Sequence, residues 1–292
     1  MLSNPIFSVI VPTYNREKII KRAINSIVNQ TFVNFELIIV DDGSTDETKR
    51  IVEAYEDERI KYVYKENGGQ NSALNRGLEV AIGKYIAFCD SDDEWLPDKL
   101  LKTYEKFKAD DEIGVVYHLT GIRDNGLLEL ARNDVLEGWI YKEVLAQGYL
   151  TSPTFLTCKK ECFDIIGKFD LNVINCQDDD LCFNLCKYFK VGLVKEILGI
   201  YYADVNNRKS DMKKTAADSF LFLWNKHEDE ILEVCGKEQT AEKFYEASCK
   251  YLLIGEWKRA KMVLDKANNI SSLNIVKKIK WYEILLKNYL KR

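Results

Sequence analysis

Residues 5–100 alternate between short apolar runs and amphipathic segments, and this alternation restricts the fold more than any other feature of the sequence. The apolar runs are Phe7–Val11, Phe35–Val40, Ile60–Tyr64 and Tyr85–Cys89, which are short and rich in β-branched or aromatic residues, as buried strands are. Apolar residues recur at helical spacing between them, at about 19–28, 45–55 and 71–81. This order predicts an α/β fold with a mainly parallel sheet flanked by helices.

The predicted strands end in polar residues. These ends are Thr13-Tyr14-Asn15, Asp41-Asp42-Gly43-Ser44 and Asp90-Ser91-Asp92-Asp93. Ligands of open α/β sheets bind beyond the carboxyl ends of the strands, so we expect the three ends to gather along one rim. No G-K-[ST] or G-x-G-x-x-G pattern follows a strand, which argues against P-loop ATPases, kinases and dinucleotide dehydrogenases.

The acidic turn after the fourth strand is the most specific chemical feature. Asp90, Asp92 and Asp93 bring three carboxylates into four residues, where they would repel one another without a cation. Hard oxygen ligands favour Mg²⁺ or Mn²⁺. An isolated acidic turn is more often a solvated loop or a helix cap, but this one follows a strand and has a second acidic strand end beside it. We therefore predict a metal site here.

The second acidic strand end suits a tight turn. Asp42, Gly43 and Ser44 are typical of an Asx-type turn, which would leave the Asp41 carboxylate directed into the rim. There it could accept N–H groups of a nucleobase or ribose hydroxyl groups. A glycine turn at 67–69 would let a ligand approach the backbone closely.

Composition and charge limit the function classes. The chain is 46% hydrophobic and 12% aromatic, enough for a packed core, and its net charge of −4 lacks the basic excess of most nucleic-acid binders. Residues 1–210 carry −8 and residues 211–292 carry +4. Because the pattern is helical throughout beyond Asp211, we predict a catalytic domain at 1–210 and a C-terminal helical region at 211–292.

The cysteines and the apolar runs predict a cytoplasmic location. Eight cysteines lie in otherwise apolar segments without any C-x-x-C pair, so buried thiols are expected rather than zinc ligands or disulfides. No run approaches the 18–20 apolar residues of a membrane span, and the N-terminus has no signal-peptide pattern.

Four spaced motifs stand in a specific order. They are Val11-Pro-Thr-Tyr-Asn-Arg16, Ile39-Val-Asp-Asp-Gly-Ser-Thr-Asp46, Asn67-Gly-Gly with Ala73-Leu-Asn75, and Tyr85-Ile-Ala-Phe-Cys-Asp-Ser-Asp-Asp93. Together they resemble the family 2 inverting glycosyltransferases of GT-A fold, clearly over about 5–100 and more weakly to about 210. The resemblance implies a nucleotide-sugar donor, most often UDP-linked, and a glycan, lipid-linked or glycoprotein acceptor.

The same resemblance implies a set of donor-binding residues: Pro12, Thr13, Tyr14, Asp41, Asn71, Asn75, Asp90 and Ser91. Tyr14 would lie against the uracil, Asp41 would contact its edge and Asp90 would face the ribose. Asp92, which ends the D-x-D motif Asp90-Ser91-Asp92, and its neighbour Asp93 would hold Mn²⁺ or Mg²⁺ on the diphosphate.

Cys176-Gln-Asp-Asp-Asp-Leu181 resembles the motif that carries the family's general base. The resemblance places the base at Asp178, with Asp179 as the fallback because three aspartates are adjacent. The preceding Gly167-Lys-Phe-Asp170 is similar to the turn usual before the base. The structural alternative is an acidic first turn of a helix, which the helix dipole favours.

The chain also departs from the family. Many relatives carry an Arg and a His after the position of Tyr202, whereas this chain has Ala203-Asp204-Val205. Arg208 or Lys209 could replace them as phosphate partners. A catalytically inactive scaffold therefore remains an alternative function, and a sugar nucleotidyltransferase, which also uses strand-end carboxylates and a metal, is a second.

The C-terminal pattern admits two interpretations. Apolar and aromatic residues at helical spacing predict core packing or a homo-oligomer contact. Alternatively, a basic amphipathic helix would dock on the inner face of the cell membrane and bring the enzyme to a lipid-linked acceptor. Its basic residues are Lys277, Lys278, Lys280, Lys287, Lys291 and Arg292, and its aromatic residues are Trp281, Tyr282 and Tyr289.

Overall fold

The computed structural model describes residues 4–124, 127–130, 135–202 and 213–289. They form two compact units. The first comprises described residues within 4–141, 150–171 and 181–202, and the second comprises 142–149, 172–180 and 213–289. The second unit thus includes two segments that precede the C-terminal region in sequence. The predicted boundary at 210/211 lies outside the described residues and stays a prediction, as do the roles suggested for Arg208 and Lys209.

Nine strands of the described residues form one mixed sheet in the first unit. They are β1 (Phe7–Thr13), β2 (Phe35–Asp41), β3 (Ile60–Tyr64), β4 (Tyr85–Phe88), β5 (Glu94–Trp95), β6 (Ile113–Asp124), β7 (Leu127–Leu130), β8 (Leu156–Lys159) and β9 (Lys190–Tyr202). The order is β3-β2-β1-β4-β8-β6-β9-β5, with β7 paired to β6. The first four are parallel, which confirms the predicted parallel core, whereas β8 pairs antiparallel with both neighbours.

Helices flank the sheet and make up most of the second unit. They are α1 (Ile20–Val28), α2 (Thr48–Glu53), α3 (Gln70–Val80), α4 (Lys99–Ala109), α5 (Tyr141–Gln147), α6 (Cys162–Ile166), α7 (Gln177–Tyr188), α8 (Lys213–Lys226), α9 (Glu228–Cys235), α10 (Lys237–Leu253), α11 (Trp257–Ile270) and α12 (Ile275–Tyr289). The first three confirm the predicted helices. In α1 the apolar stripe buries Ile20, Ala23, Ile24 and Ile27 in the core of the sheet.

A buried glutamate joins the first three strands. Glu36 on β2 accepts hydrogen bonds from the Ser8 hydroxyl (2.5 Å), the Ile82 amide (2.8 Å) and the Lys61 ammonium (2.6 Å). Ser8 also accepts from the Gly83 amide. Burial raises the pKa of Glu36, but the hydrogen bonds from Lys61, Ser8 and Ile82 outweigh it and lower the pKa overall. The network thereby ties β1, β2 and β3 to the turn that precedes β4.

A lysine is fully buried behind β4. Lys99 donates to the Thr157 hydroxyl (3.0 Å) and its Nζ lies 3.6 Å from the centroid of the Trp95 ring. Burial lowers the pKa of Lys99 to about 7, and burial together with the Lys99 charge lowers that of His118 to about 3. The core therefore contains two basic side chains that the sequence pattern did not distinguish from surface residues.

The second unit centres on α10, which packs against α8, α9, α11 and α12. Trp224, Phe244 and Tyr251 are buried in it. Throughout the chain all eight cysteines are thiols, and six of them are buried, as predicted. Within the described ranges, no helix is both long enough and apolar enough to cross a bilayer.

Candidate active site

The acidic turn after β4 brings its three carboxylates together. One oxygen each of Asp90, Asp92 and Asp93 lies within 4.8 Å of the other two. Asp93 and Ser91 are buried, whereas Asp90 and Asp92 are half-buried. The turn is tight because the Asp93 amide donates to the Asp90 carbonyl (3.1 Å). Three oxygen donors at this separation fit a hard divalent cation such as Mg²⁺ or Mn²⁺.

Neighbouring elements hold the acidic turn in place. Gln70, the first residue of α3, donates to the Asp90 carboxylate (3.1 Å), and the Asp90 amide donates to the Thr154 hydroxyl (2.8 Å). On the other side, Arg22 of α1 donates to the Asp92 carbonyl. The Gln70 contact joins residues 20 positions apart, and the Thr154 and Arg22 contacts join residues 64 and 70 positions apart.

Arg22 is a residue that sequence reasoning missed. Its guanidinium lies 3.5 Å from the centroid of the Tyr202 ring, and the Tyr202 hydroxyl donates to Glu94 beside the acidic turn. A cation was expected after Tyr202 in the sequence, whereas the fold brings one from α1. Arg22 lies outside the apolar stripe of α1, where a charged residue is ordinary, so no local signal could have identified it.

The loops after β1 and β2 are joined by reciprocal hydrogen bonds. Asn15, with φ of 51°, donates from its amide to the Ser44 hydroxyl (2.9 Å) and accepts at its side-chain oxygen from the Thr45 amide (2.9 Å). The left-handed conformation suits asparagine better than most residues. The strand ends at Thr13 and Asp41 are direct register partners. The predicted rim of strand ends is therefore present for these two strands.

The predicted base pocket contains one exposed ring. Tyr14 is 46% exposed, whereas Pro12 and Thr13 are buried within β1. The Thr13 hydroxyl has no hydrogen-bond partner among the described residues. Tyr14 thus offers an aromatic face to a ligand, and Thr13 offers a buried hydroxyl at the end of the strand.

Asp41 and Asp42 have the opposite roles in the turn to those that the sequence predicted. Asp41 makes the local turn contact, since its Oδ1 accepts from the Ser44 amide (2.7 Å), and its Oδ2 accepts from the Tyr62 hydroxyl (2.6 Å). The side chain is fully buried. The expectation that Asp42 makes the local turn is wrong. A carboxylate has about four acceptor positions, so contact of Asp41 with a nucleobase stays a prediction.

Asp42 instead organises the glycine turn before α3. It accepts hydrogen bonds from the Gly68 amide (3.0 Å), the Gly69 amide (2.7 Å) and the Lys65 ammonium (2.6 Å). Gly43 has φ of +86°, and a Cβ there would lie 2.9 Å from the Asn67 nitrogen. Only glycine therefore allows the two loops to approach this closely.

Asn71 and Asn75 lie one helical turn apart on α3 and hold the segment before α7. Asn71 donates to the Asp170 carbonyl (2.8 Å). Asn75 both donates to the Phe169 carbonyl and accepts from the Phe169 amide, each at 2.9 Å. Both amides thus position main chain 94 to 99 residues away. Their predicted contact with a donor stays a prediction.

In the second unit, the three consecutive aspartates form the first turn of α7. Asp178 and Asp179 are half-buried, whereas Asp180 is buried, ion-paired with Lys226 (2.9 Å) and within hydrogen-bond distance of His227 Nε2 (2.8 Å). Burial, with a smaller contribution from the negative charges of Asp179 and Asp178, raises the pKa of the Cys176 thiol to about 12. Because Lys226 and His227 occupy its carboxylate, Asp180 is a structural residue. Asp178 and Asp179 are the two candidates for the base.

Comparisons with known proteins agree with this architecture. The sequence profile described as Glycosyl transferase family 2 matches residues 8–160. An uncharacterized glycosyltransferase of Nostoc is 40% identical over 121 residues, which are 40% of this chain and 38% of that protein. TuaG of Bacillus subtilis, assigned to teichuronic acid biosynthesis, is 49% identical over 104 residues, 35% of this chain and 41% of that protein. The match thus spans about two fifths of the length of each of these two relatives.

Solved structures extend the likeness over nearly the whole chain. Staphylococcus aureus TarS 1–349 in complex with UDP-GlcNAc has a TM-score of 0.70 at 20% identity, covering 97% of this chain and 89% of that one. A mannosyltransferase of Pyrobaculum calidifontis in complex with GDP-Man and Mn²⁺ has a TM-score of 0.61 at 18% identity, covering 99% and 87%. The fold is accordingly the GT-A fold, with C-terminal helices. Since the family profile matches more than half of the chain, across the strands that end in the acidic motifs, the chain belongs to glycosyl transferase family 2.

Proposed function

We propose that the chain transfers a hexose or N-acetylhexosamine from a UDP-sugar to an acceptor hydroxyl with inversion at the anomeric carbon. The observation that carries the proposal is the group of Asp90, Asp92 and Asp93 carboxylates at the end of β4, held by Gln70 and Thr154. A structural neighbour that binds UDP-GlcNAc supports a UDP-linked donor. The relative assigned to teichuronic acid biosynthesis supports a bacterial cell-surface glycan as the acceptor class.

The donor is proposed to lie along the rim formed by β1, β2 and β4. The exposed Tyr14 ring would stack on the uracil, beside Pro12 and Thr13, and Asp41 would accept an N–H group from its edge. Asp90 and Ser91 would face the ribose. Asn71 and Asn75 would border the donor while they hold 169–170.

Asp92 and Asp93 are proposed to hold Mn²⁺ or Mg²⁺. A divalent ion there would neutralise charge on the departing diphosphate. The mannosyltransferase neighbour, solved in complex with GDP-Man and Mn²⁺, supports the use of a divalent ion. Asp92 is half-buried and Asp93 is buried, so an ion held by both would remain open to the donor phosphates on the Asp92 side.

Asp178 is proposed to be the general base, with Asp179 as the fallback. The acceptor oxygen would attack C1 of the sugar, its proton would pass to an Asp178 oxygen, and the C1–O bond to the diphosphate would break to release UDP. One carboxylate suffices for this displacement because the diphosphate leaves without a catalytic acid. The half-buried position of Asp178 in the first turn of α7 supports the assignment.

A thermal-shift panel of nucleotide sugars, each with and without Mn²⁺, tests the donor. A donor at about 100 times its Kd stabilises the folded state by about 2.7 kcal/mol, which raises the melting temperature by several degrees. We expect one UDP-sugar to do so only with Mn²⁺, and UDP-glucose, UDP-galactose and their N-acetyl forms are the first ligands to compare.

The panel together with an assay of the released product separates the alternatives. A catalytically inactive scaffold that has lost the donor site would show no shift with any nucleotide sugar. A sugar nucleotidyltransferase would release pyrophosphate from a nucleoside triphosphate and a sugar phosphate, whereas the proposed enzyme releases UDP. Detection of pyrophosphate without UDP release would contradict the proposed reaction.

The exposed face of α12 is proposed to dock on the anionic inner surface of the cell membrane and bring the enzyme to a lipid-linked acceptor. Trp281 is buried and donates to Ser248 of α10 (2.7 Å), which fixes the orientation of the helix. The outward apolar residues are 51–72% exposed: Ile275, Val276, Ile279, Tyr282 and Leu286. Lys278 and Lys280 flank them and suit anionic headgroups. The Lys287 side chain, Lys291 and Arg292 lie outside the described residues.

Co-sedimentation with lipid vesicles tests this docking. We expect the chain to bind vesicles that contain phosphatidylglycerol and not vesicles of phosphatidylcholine alone, because binding needs both apolar burial and charge. Ile279→Gln with Leu286→Gln should abolish binding, whereas Val33→Gln, a similarly exposed apolar residue of the first unit, should not. Concentration-dependent dimerisation that the α12 double variant abolishes, without vesicle binding, would identify the face as a homo-oligomer contact instead.

A further inference from the structure

A buried charge cluster adjoins the candidate base in the second unit. His227 lies at the junction of α8 and α9 and is 4% exposed. Its Nε2 is 2.8 Å from Asp180 Oδ1, and its Nδ1 is 2.7 Å from Glu230 Oε2. Lys226 Nζ lies 2.9 Å from the same Asp180 oxygen. No motif of the sequence includes this histidine.

Each ring nitrogen of His227 thus lies within hydrogen-bond distance of one carboxylate. These two contacts hold the ring between Asp180 of α7 and Glu230 of α9. Lys226 adds a cation beside the same buried Asp180 oxygen, and a buried carboxylate is stable only with such partners.

Asp180 connects the His227 contact to the first turn of α7. The Asp180 amide donates to the Cys176 carbonyl (3.1 Å), so the turn that contains Asp178 and Asp179 is closed by the residue that His227 holds. A rotation or fraying of this turn would redirect both half-buried carboxylates. The contact between Asp180 and His227 spans 47 residues, and it links the turn to the helices that follow.

We propose that His227 is a positioning residue for the general base. By holding Asp180 at one side and Glu230 at the other, it sets the direction in which Asp178 presents its carboxylate to the acceptor. The inference rests on the proposed glycosyltransferase function, because it assigns His227 to the base of that reaction. Displacement of a reacting group by about 1 Å can cost about 100-fold in rate.

The test uses the full chain and two variants, His227→Gln and Asp180→Asn. The probe is the UDP-sugar selected by the thermal-shift panel, and UDP release is measured with water as the acceptor. We expect kcat to fall on the order of 10- to 100-fold in both variants, with the KM for the donor unchanged. The double variant should lose no more than either single variant, because both remove the same contact.

Lys266→Gln is the matched control. Lys266 pairs with Glu228 (2.6 Å), the residue next to His227, without touching Asp180. The Lys266→Gln variant should therefore keep the kcat of the original chain. Kinetics are measured well below the melting temperature of each variant, so that a loss of folded protein does not lower kcat. The inference would be overturned if His227→Gln kept the original kcat, or if its KM for the donor rose by the same factor as its kcat fell.

Hydrogen exchange separates this inference from the proposed function. In His227→Gln we expect faster exchange of the 177–181 amides, and in Lys266→Gln no change there. If the unaltered chain releases no UDP and binds no nucleotide sugar, the proposed function fails and His227 has no base to position. If the unaltered chain is active and the 177–181 amides of His227→Gln exchange as before, the positioning role alone is refuted.

Discussion

Asp178→Asn is expected to retain donor binding and to slow sugar transfer by a factor of about 100 to 10,000, the usual contribution of a general base. The amide keeps the size of the carboxylate but cannot accept the proton of the attacking hydroxyl. Because Asp178 is half-buried in the first turn of α7, the substitution should not disturb the packing. Transfer or hydrolysis is measured as UDP release, and donor binding as the thermal shift.

Asp179→Asn provides the matched control for Asp178→Asn. It removes the same charge from the adjacent position, so a general effect of charge in the turn would slow both variants alike. A large loss in Asp179→Asn together with an active Asp178→Asn would assign the base to the fallback residue. UDP release at the original rate in both variants would refute a base in this turn, since Asp180 is occupied by Lys226 and His227.

Asp92→Asn is expected to abolish the Mn²⁺-dependent part of donor binding. The carboxylates of Asp90 and Asp93 would remain at the turn, each with an oxygen within 4.8 Å of the one that Asp92 now offers. The ion would therefore lose one hard oxygen ligand. The stabilisation by donor and Mn²⁺, about 2.7 kcal/mol at 100 times the Kd, should then disappear from the thermal shift. Titration of Mn²⁺ followed by electron paramagnetic resonance measures the metal affinity without any turnover.

Asp111→Asn is the control for metal binding. Asp111 is an exposed acid in the turn before β6, so its substitution removes a charge without touching the acidic turn. It should leave both the Mn²⁺ affinity and the donor-induced shift unchanged. If Asp92→Asn retains the full Mn²⁺-dependent affinity for the donor, the assignment of Asp92 as a metal ligand is wrong.

The order of strands and helices was accessible from the sequence because it depends on local periodicity. Runs such as Phe7–Val11 and Phe35–Val40 can bury both faces only within a covered sheet, and the stripe of α1 repeats at the helical period. The bounds of the first four strands accordingly differ from the prediction by at most two residues at either end. The gathering of three carboxylates after β4 was equally predictable, since they are neighbours in sequence.

Partners of individual polar side chains were not predictable in this way. Asp41 and Asp42 are adjacent and chemically identical, yet one makes a local turn and the other binds the loop 26–27 residues later. Nothing in the local pattern distinguishes them, because the choice depends on where β3 and the glycine turn lie. The same holds for Asn75, whose partner is 94 residues away.

The sequence by itself determined the α/β order, the polar strand ends and the family to which the chain belongs. The tertiary structure decided which of three consecutive aspartates is held in an ion-pair cluster, and it brought Arg22 to the acidic turn and His227 to Asp180. The physical reason is the range of the interactions. Periodicity and turn chemistry act between near neighbours, whereas a buried charge is stable only beside a partner, and packing alone brings that partner from a distant segment.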